Sequence, residues 1–224
     1  MEVEPVTLTD RTRAEARELI ARYPQKRSAL LPMLHLVQSE QGYVSAEGIA
    51  LCAEELGLTK AEVGAVATFY TMYRRSPAGT YHVGVCTNTL CAVLGGDAIF
   101  ADLKEHLGIG QNETTPDGAI SLEHIECQAA CDYAPVMTVN WEFYDNQTPA
   151  SARSLVDACR AGTPPPPTRG PDRLCTFMEV SRVLAGFNDG LGAQGVQAGP
   201  PTLAGLELAA SRGESAPAFP EAAQ

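Results

Sequence analysis

The sequence predicts an α/β protein in which an N-terminal helical bundle precedes a domain of strands and helices, with an extended C-terminal tail. Apolar residues recur at helical spacing up to about Tyr73, the period changes to two at Tyr81, and proline and glycine become frequent after Arg160. The predicted segments are a helical domain at 1–75, a strand-containing domain at 76–162 and a Pro/Gly-rich tail at 163–224.

Four helices are expected in the first segment. In the first helix, Ala16, Leu19 and Ile20 share one side, and the second repeats apolar residues from Leu30 to Val37 at the same spacing. Capping residues set the remaining boundaries. They are a stop at Gly42, an N-cap at Ser45, a stop at Gly57 and a capping box from Thr59 to Glu62.

The second segment alternates strands with helices. A strand from Tyr81 ends at Cys86, and another containing Ile120 and Leu122 leads to Cys127. The other expected elements are a helix through Ile99, Leu103 and Leu107, a turn at 115–118, a strand at 135–139, a hairpin turn near Asp145-Asn146 and a helix from Ala150 to Cys159. This order places the cysteines at one end of a sheet.

The tail is expected to lack a core of its own. Nine Pro and nine Gly occur in the 65 residues from Arg160 onward, and Thr163 is followed by four consecutive prolines. The stretch from Leu174 to Phe187 is its one apolar part. A short helix covering part of the domain is the preferred interpretation of that stretch, ahead of a docking peptide.

Charge and composition restrict the class of protein. The net charge is −11, and residues 86–159 hold eleven Asp or Glu against Lys104 and Arg153. Such a surface disfavours binding to nucleic acid. The short helix-turn-helix spacing around Lys60 contains no other basic residue that would support DNA binding. The carboxylates are equally explained as the solvated surface of a small domain.

The expected location is the cytoplasm, without direct insertion into the membrane. Met1 to Pro5 is acidic where a signal peptide would be basic, and no apolar run approaches the roughly 20 residues that span a bilayer. Cytoplasmic thiols stay reduced, so paired cysteines there favour metal binding or redox chemistry over structural disulfides.

Four of the seven cysteines form two close pairs, and each pair follows a strand-like run. The pairs are Cys86 with Cys91 and Cys127 with Cys131. Two thiolates per iron would satisfy a 2Fe-2S cluster, which the longer intervening loops modestly favour, whereas tetrahedral zinc remains compatible with the same spacing. A dithiol redox site would favour C-x-x-C, and a Rieske centre would need paired histidines.

The remaining chemistry-bearing residues indicate no second site. Cys52, Cys159 and Cys175 lie singly among apolar residues and are interpreted as structural, and the four histidines lack metal-site spacing. Gly95-Gly96 lacks the third glycine of a phosphate loop. Without a nucleotide or flavin site, a cluster-bearing chain needs a redox partner.

Several motifs resemble one known family. Val85-Cys86-Thr87-Asn88-Thr89-Leu90-Cys91, Thr114-Thr115-Pro116-Asp117-Gly118 and Glu126-Cys127-Gln128-Ala129-Ala130-Cys131 with Ala134-Pro135 are similar to the thioredoxin-like 2Fe-2S subunit of respiratory NADH:quinone oxidoreductase, complex I. Gln41-Gly42-Tyr43-Val44 and residues 67–73 resemble its helical region. The resemblance covers about Tyr23 to Gly162 and leaves out the tail.

The resemblance implies a thioredoxin-like fold of four strands with flanking helices. It also implies that Cys86, Cys91, Cys127 and Cys131 bind one 2Fe-2S cluster, with no other catalytic residue. Gln128-Ala129 replaces the Leu or Val followed by Gly that the family commonly has, which affects loop geometry and cluster potential but not cluster type.

The implied partner is the flavoprotein subunit that binds FMN and NADH, together with other peripheral-arm subunits at the cytoplasmic face of the cell membrane. The implied function is one-electron exchange between that FMN and the cluster. A diaphorase-type subunit of an NAD-linked hydrogenase or formate dehydrogenase is the alternative within this family. A zinc-stabilised scaffold that carries no electrons is the alternative of a different class.

Overall fold

The structure is a computed structural model that describes residues 8–192, 194–195 and 198–217. The acidic residues Met1 to Pro5 lie outside the described part. Within that part, no helix is both long and apolar enough to cross a bilayer.

The helical segment follows the predicted boundaries. Its helices are α1 (Asp10–Ala21), α2 (Leu30–Gln41), α3 (Ala46–Leu56) and α4 (Lys60–Phe69). Gly42 and Gly57 adopt the left-handed conformation that ends α2 and α3, with φ of 74° and 69°. The Ser45 hydroxyl caps α3, and Thr59 with Glu62 forms the capping box of α4.

These four helices bury one apolar core. Helix α2 lies at its centre, because Leu34, Leu36 and Val37 are fully buried and α1, α3 and α4 all pack on α2. The core residues from the other helices include Leu19, Leu51, Cys52, Leu56 and Val63. A separate apolar core lies on the sheet described next.

A five-stranded sheet forms the second part, in the order β2-β3-β1-β4-β5. The strands are β1 (Tyr81–Cys86), β2 (Glu113–Thr114), β3 (Ile120–Ile125), β4 (Met137–Val139) and β5 (Glu142–Tyr144). Strand β1 pairs in parallel with β3, in a register that sets Tyr81 opposite Ile120 and Cys86 opposite Ile125. The other pairs are antiparallel. The two-residue strand β2 adds a fifth strand to the four that were expected.

Helices cover the sheet and complete its core. They are α5 (Thr89–Val93), α6 (Gly96–Leu107) and α7 (Pro149–Arg160). Helix α6 packs on β1 and α7 on β3, and the two helices contact each other. Buried residues of β1 and α6 such as Val83, Ile99 and Leu103 meet in this core, as the apolar spacing predicted.

The hairpin turn between β4 and β5 is at Asn140 and Trp141, not at the predicted Asp145-Asn146. Both turn residues have positive φ, 49° and 68°. The Asn140 side chain stabilises this turn, because its Oδ1 accepts from the amide of His82 (2.7 Å) and its Nδ2 donates to the carbonyl of Cys175 (2.8 Å). Asp145 and Asn146 follow β5 instead.

The expectation of an extended tail is corrected by two helices, α8 (Phe177–Leu184) and α9 (Pro200–Ser211). Helix α8 packs on α2, and the side-chain Nε2 of Gln38 donates to the buried Ser181 hydroxyl (3.2 Å). Phe177 is 1% exposed and packs near the rings of His82 and Trp141. The apolar stretch therefore forms the short covering helix that was preferred over a docking peptide.

Gly48→Ala is expected to lower the free energy of unfolding by about 1–2 kcal/mol, as overpacking of a core does. A Cβ at Gly48 would lie 2.2 Å from Cγ1 of Val37, which is buried and β-branched and has little freedom to move. Urea unfolding followed by circular dichroism measures the change.

The matched control is Gly64→Ala in α4, where a Cβ would meet no atom within 4 Å. Alanine should stabilise that helical position by up to about 1 kcal/mol. Equal effects of the two substitutions would show that α3 does not pack on Val37 as described.

Candidate metal centre

Two cysteine-bearing loops begin at the same end of the sheet, where β1 and β3 finish. Strand β1 ends at Cys86 and its parallel neighbour β3 ends at Ile125, two residues before Cys127. Because parallel strands point the same way, the loops that follow them start side by side. This is the end of the sheet at which the sequence placed the cysteines.

The first thiol pair is buried. Cys86 closes β1, Cys91 lies in α5, and each is 3% exposed. Gly96 packs directly behind them, since a Cβ there would lie 2.4 Å from the carbonyl oxygen of Cys86 and 2.9 Å from that of Cys91. This packing role was not predicted from the sequence, in which Gly95-Gly96 was weighed only as a phosphate loop.

The second thiol pair is exposed. The sulfur atoms of Cys127 and Cys131 lie 3.9 Å apart. The amide of Ala129 donates to the sulfur of Cys127 (3.4 Å), and Ala129 takes a left-handed φ of 55° to do so. Residues 128–130 thus supply a backbone donor to a cysteine sulfur.

Hydrogen bonds tie the two loops together. Asn88 from the first loop donates to the carboxylate of Glu126 in the second (2.8 Å). The hydroxyl oxygen of Thr87 and the Nδ1 atom of His124 are 3.3 Å apart. These side chains flank the cysteines in sequence, but no sequence pattern indicated that they would meet.

The two thiol pairs also influence each other. Burial raises the pKa of Cys91 to about 11; the Val136 amide opposes that shift, and the thiols of Cys86 and Cys131 add to it. The pKa of Cys131 is raised first by Cys127, then by burial, Cys86 and Asp132. The thiols of the two pairs thus lie near enough to affect each other's pKa, and a cation bound there would favour thiolates over thiols.

The number and pairing of the thiols bear on which metal centre the site could hold. Across the described ranges, no group of three or more His, Cys, Asp or Glu side chains is placed to hold a single metal ion. Tetrahedral zinc needs four ligands around one point, whereas a 2Fe-2S cluster takes two thiolates at each iron. Two separate thiol pairs meet the second requirement.

The other three cysteines are buried away from this site. Cys52 lies in the helical core, Cys159 in the sheet core, and Cys175 just before α8. Burial raises the pKa of Cys52 and Cys159 to about 12 and, together with smaller effects of neighbouring charges, that of Cys175 to about 11. Their positions agree with the structural interpretation from sequence.

A model of the family described as thioredoxin-like [2Fe-2S] ferredoxin matches residues 16–160. The chain belongs to the thioredoxin-like [2Fe-2S] ferredoxin family. The match agrees with the predicted extent of the resemblance, from about Tyr23 to Gly162, and it ends before the tail. Membership supports a 2Fe-2S cluster as the cofactor.

Relatives of this ferredoxin-family chain include components of an oxidoreductase complex. A subunit of the NADH-quinone oxidoreductase of Mycobacterium tuberculosis is 60% identical over 220 residues, which cover 97% of this chain and 86% of that protein. NADH-quinone oxidoreductase subunit 2 of Thermus thermophilus is 40% identical over 148 residues, covering 65% of this chain and 82% of that protein. The predicted resemblance is confirmed.

A solved structure shares the fold of this ferredoxin-family chain. It is a chain of an NAD+-reducing [NiFe]-hydrogenase in the air-oxidized state, with a TM-score of 0.54 and 22% identity. The match covers 60% of this chain and 23% of the hydrogenase chain. At that identity the likeness supports the fold alone.

Gly96→Ala is expected to reduce the iron and acid-labile sulfide bound per chain. The added methyl group would press on the carbonyls of Cys86 and Cys91 and displace the buried thiol pair. Iron and sulfide analysis of anaerobically purified protein measures the loss. Gly64→Ala, the unhindered glycine of α4, should retain the wild-type content, and a fully loaded Gly96→Ala protein would contradict the close packing described.

Proposed function

We propose that the chain is a one-electron carrier subunit of NADH-quinone oxidoreductase, in which Cys86, Cys91, Cys127 and Cys131 hold one 2Fe-2S cluster. The main support for this proposal is that the two thiol pairs lie in loops at the same end of the sheet. When bound, such a cluster accepts and returns one electron at a time. The 60% identity to an NADH-quinone oxidoreductase subunit favours this complex over a hydrogenase.

The chain's own residues give the site a buried side and an open side. Cys86 and Cys91 are enclosed with Ala130 and Val136, whereas Cys127 and Cys131 are exposed. A redox partner can therefore approach the Cys127 loop without rearrangement of the core. Donors such as the Ala129 amide favour negative charge on sulfur and stabilise thiolate ligands.

The charge around the site indicates the kind of surface that approaches it. Residues 86–159 carry eleven acidic side chains against two basic ones. Glu126 and Asp132 lie next to ligand cysteines, so the open side is negative. A partner with a positive rim is favoured there, and negative charge near the cluster makes added electrons less favourable.

The proposed partner is the flavoprotein subunit that binds NADH and FMN, within the peripheral arm at the cytoplasmic face of the membrane. This chain would exchange electrons with that flavin. The proposal assigns no NADH or FMN site to this chain.

Replacing Cys86, Cys91, Cys127 or Cys131 singly by Ala should abolish the visible absorption and most of the bound iron and sulfide. Each substitution leaves one iron with a single protein thiolate. Cys159→Ala is the matched control, because Cys159 is buried in the sheet core and should leave absorption intact. Stoichiometric zinc without sulfide in the anaerobic wild-type protein would instead support the scaffold alternative.

NADH should reduce the cluster only when the flavoprotein subunit is present. The purified chain alone should be bleached by dithionite but not by NADH, whereas the two subunits together should be bleached by NADH. Anaerobic visible spectroscopy and electron paramagnetic resonance follow the reduction. Bleaching of the isolated chain by NADH would contradict the division of roles, as would a mixture that stays oxidised.

A further inference from the structure

The short 3-10 turn at Cys131–Tyr133 packs against chain that comes after residue 162. Tyr133 is half-buried there, and its carbonyl accepts from the amide of Asn146 (2.9 Å). Arg169 and Gly199 approach the Tyr133 side chain from the later segment. The family model matches only as far as residue 160, so these contacts involve a segment that the model does not describe.

Arg169 makes the most extensive of these contacts. Its guanidinium carbon lies 5.1 Å from the ring centre of Tyr133 and 4.5 Å from that of Phe143. One of its terminal nitrogens donates to the carboxylate of Asp145 (2.7 Å), and both charged side chains are largely buried, 14% and 5% exposed. The Arg169 side chain thus links the Cys131–Tyr133 turn to strand β5 and the residue that follows it.

The backbone around Arg169 is fixed to the edge of the sheet. The amide of Thr168 donates to the carbonyl of Phe143 (2.9 Å), and Arg169 forms an antiparallel bridge with Phe143. The Thr168 hydroxyl lies 2.9 Å from the Asp145 carboxylate. These bonds limit the movement of Arg169 relative to β5, and Phe143 in turn packs against the core that contains Cys86 and Cys91.

The start of α9 holds the other side of the turn. The hydroxyl of Thr202 hydrogen-bonds the carboxylate of Asp132, the residue after Cys131. Gly199 approaches Tyr133 so closely that a Cβ there would lie 2.1 Å from the phenol oxygen. The C-terminal segment therefore contacts both residues that follow Cys131.

We infer that Arg169 is a positioning residue for the cluster, which fixes the turn carrying Cys131 by clamping Tyr133 and Phe143 and pairing with Asp145. The inference rests on the proposed function, in which Cys131 is a cluster ligand. An outer contact that orients a ligand commonly changes metal retention by about 10–100-fold when it is lost.

Arg169 also affects the charge near the site. Only two basic residues occur in 86–159, so this guanidinium supplies positive charge from outside that acidic segment. Removing it leaves the Asp145 carboxylate without its cation. More negative charge near the cluster disfavours reduction, so the midpoint potential should shift to a more negative value.

The test compares Arg169→Gln, Arg169→Lys and the control Arg173→Gln in the full-length, cluster-loaded chain. Arg173 pairs with the exposed side chain of Glu179 (3.5 Å) and tests the general effect of losing an arginine from this segment. Three quantities are measured: iron release to a chelator after reduction, the electron paramagnetic resonance line shape, and the midpoint potential.

Arg169→Gln is expected to release iron roughly tenfold or more faster than Arg173→Gln, with an altered line shape and a more negative potential. Arg169→Lys keeps the positive charge but loses the planar guanidinium group. Its midpoint potential should therefore stay near the wild-type value, and its rate of iron release should lie between those of the wild type and Arg169→Gln. General loss of stability would not move the line shape or potential of the cluster that remains.

Arg169→Gln and Arg173→Gln proteins that match in all three measurements would overturn the inference. If the Arg169→Gln protein does not unfold cooperatively, the test rests on Arg169→Lys. Iron release from Arg169→Lys at the same rate as from Arg173→Gln would then overturn the inference. A wild-type chain purified without iron and sulfide would contradict the proposed function instead, so the two failures are distinguishable.

Discussion

The parallel pairing of β1 with β3 is the constraint on which the site depends. Its register sets Cys86 opposite Ile125, so the chain leaves both strands at one edge and Cys127 follows within two residues. A shift of the register by one residue would turn the side chains of the strand that slips, Val83 of β1 or Leu122 of β3, away from the sheet core. The apolar core that stabilises the sheet therefore also fixes the relative position of the two thiol pairs.

Much of this architecture could be predicted from patterns of residues that are close together in the sequence. The ends of α2 and α3 follow from Gly42 and Gly57, and the cysteine loops follow from strand alternation. The hairpin turn was predicted at the wrong residues because its position depends on distant contacts. The Asn140 side chain hydrogen-bonds to groups 58 and 35 residues away in sequence. Gly96 was missed because its small size is required by the nearby carbonyls of Cys86 and Cys91, a close approach that no helix or strand pattern reports.

The chemistry of the thiols is linked to the charge of the surface around them. Burial and neighbouring thiols raise the pKa of Cys91, and neighbouring thiols and burial raise that of Cys131, so these surroundings favour the thiol form and a bound cation would favour the thiolate. Negative charge on these sulfurs thus arises together with the metal that offsets it. The acidic side chains nearby keep the surrounding surface negative, which under the proposed function would favour a positively charged partner surface.

The C-terminal segment shows why composition alone was a poor guide to its structure. Its proline and glycine content argues against an independent core, but a segment that docks on existing cores needs none. Phe177 contributes a fully buried ring and Ser181 a buried hydrogen bond to Gln38. Prolines 164–167 lower the entropy lost when the connection to these anchors is ordered. Ordering by docking explains how a chain without its own core can still hold Arg169 firmly against the turn that follows Cys131.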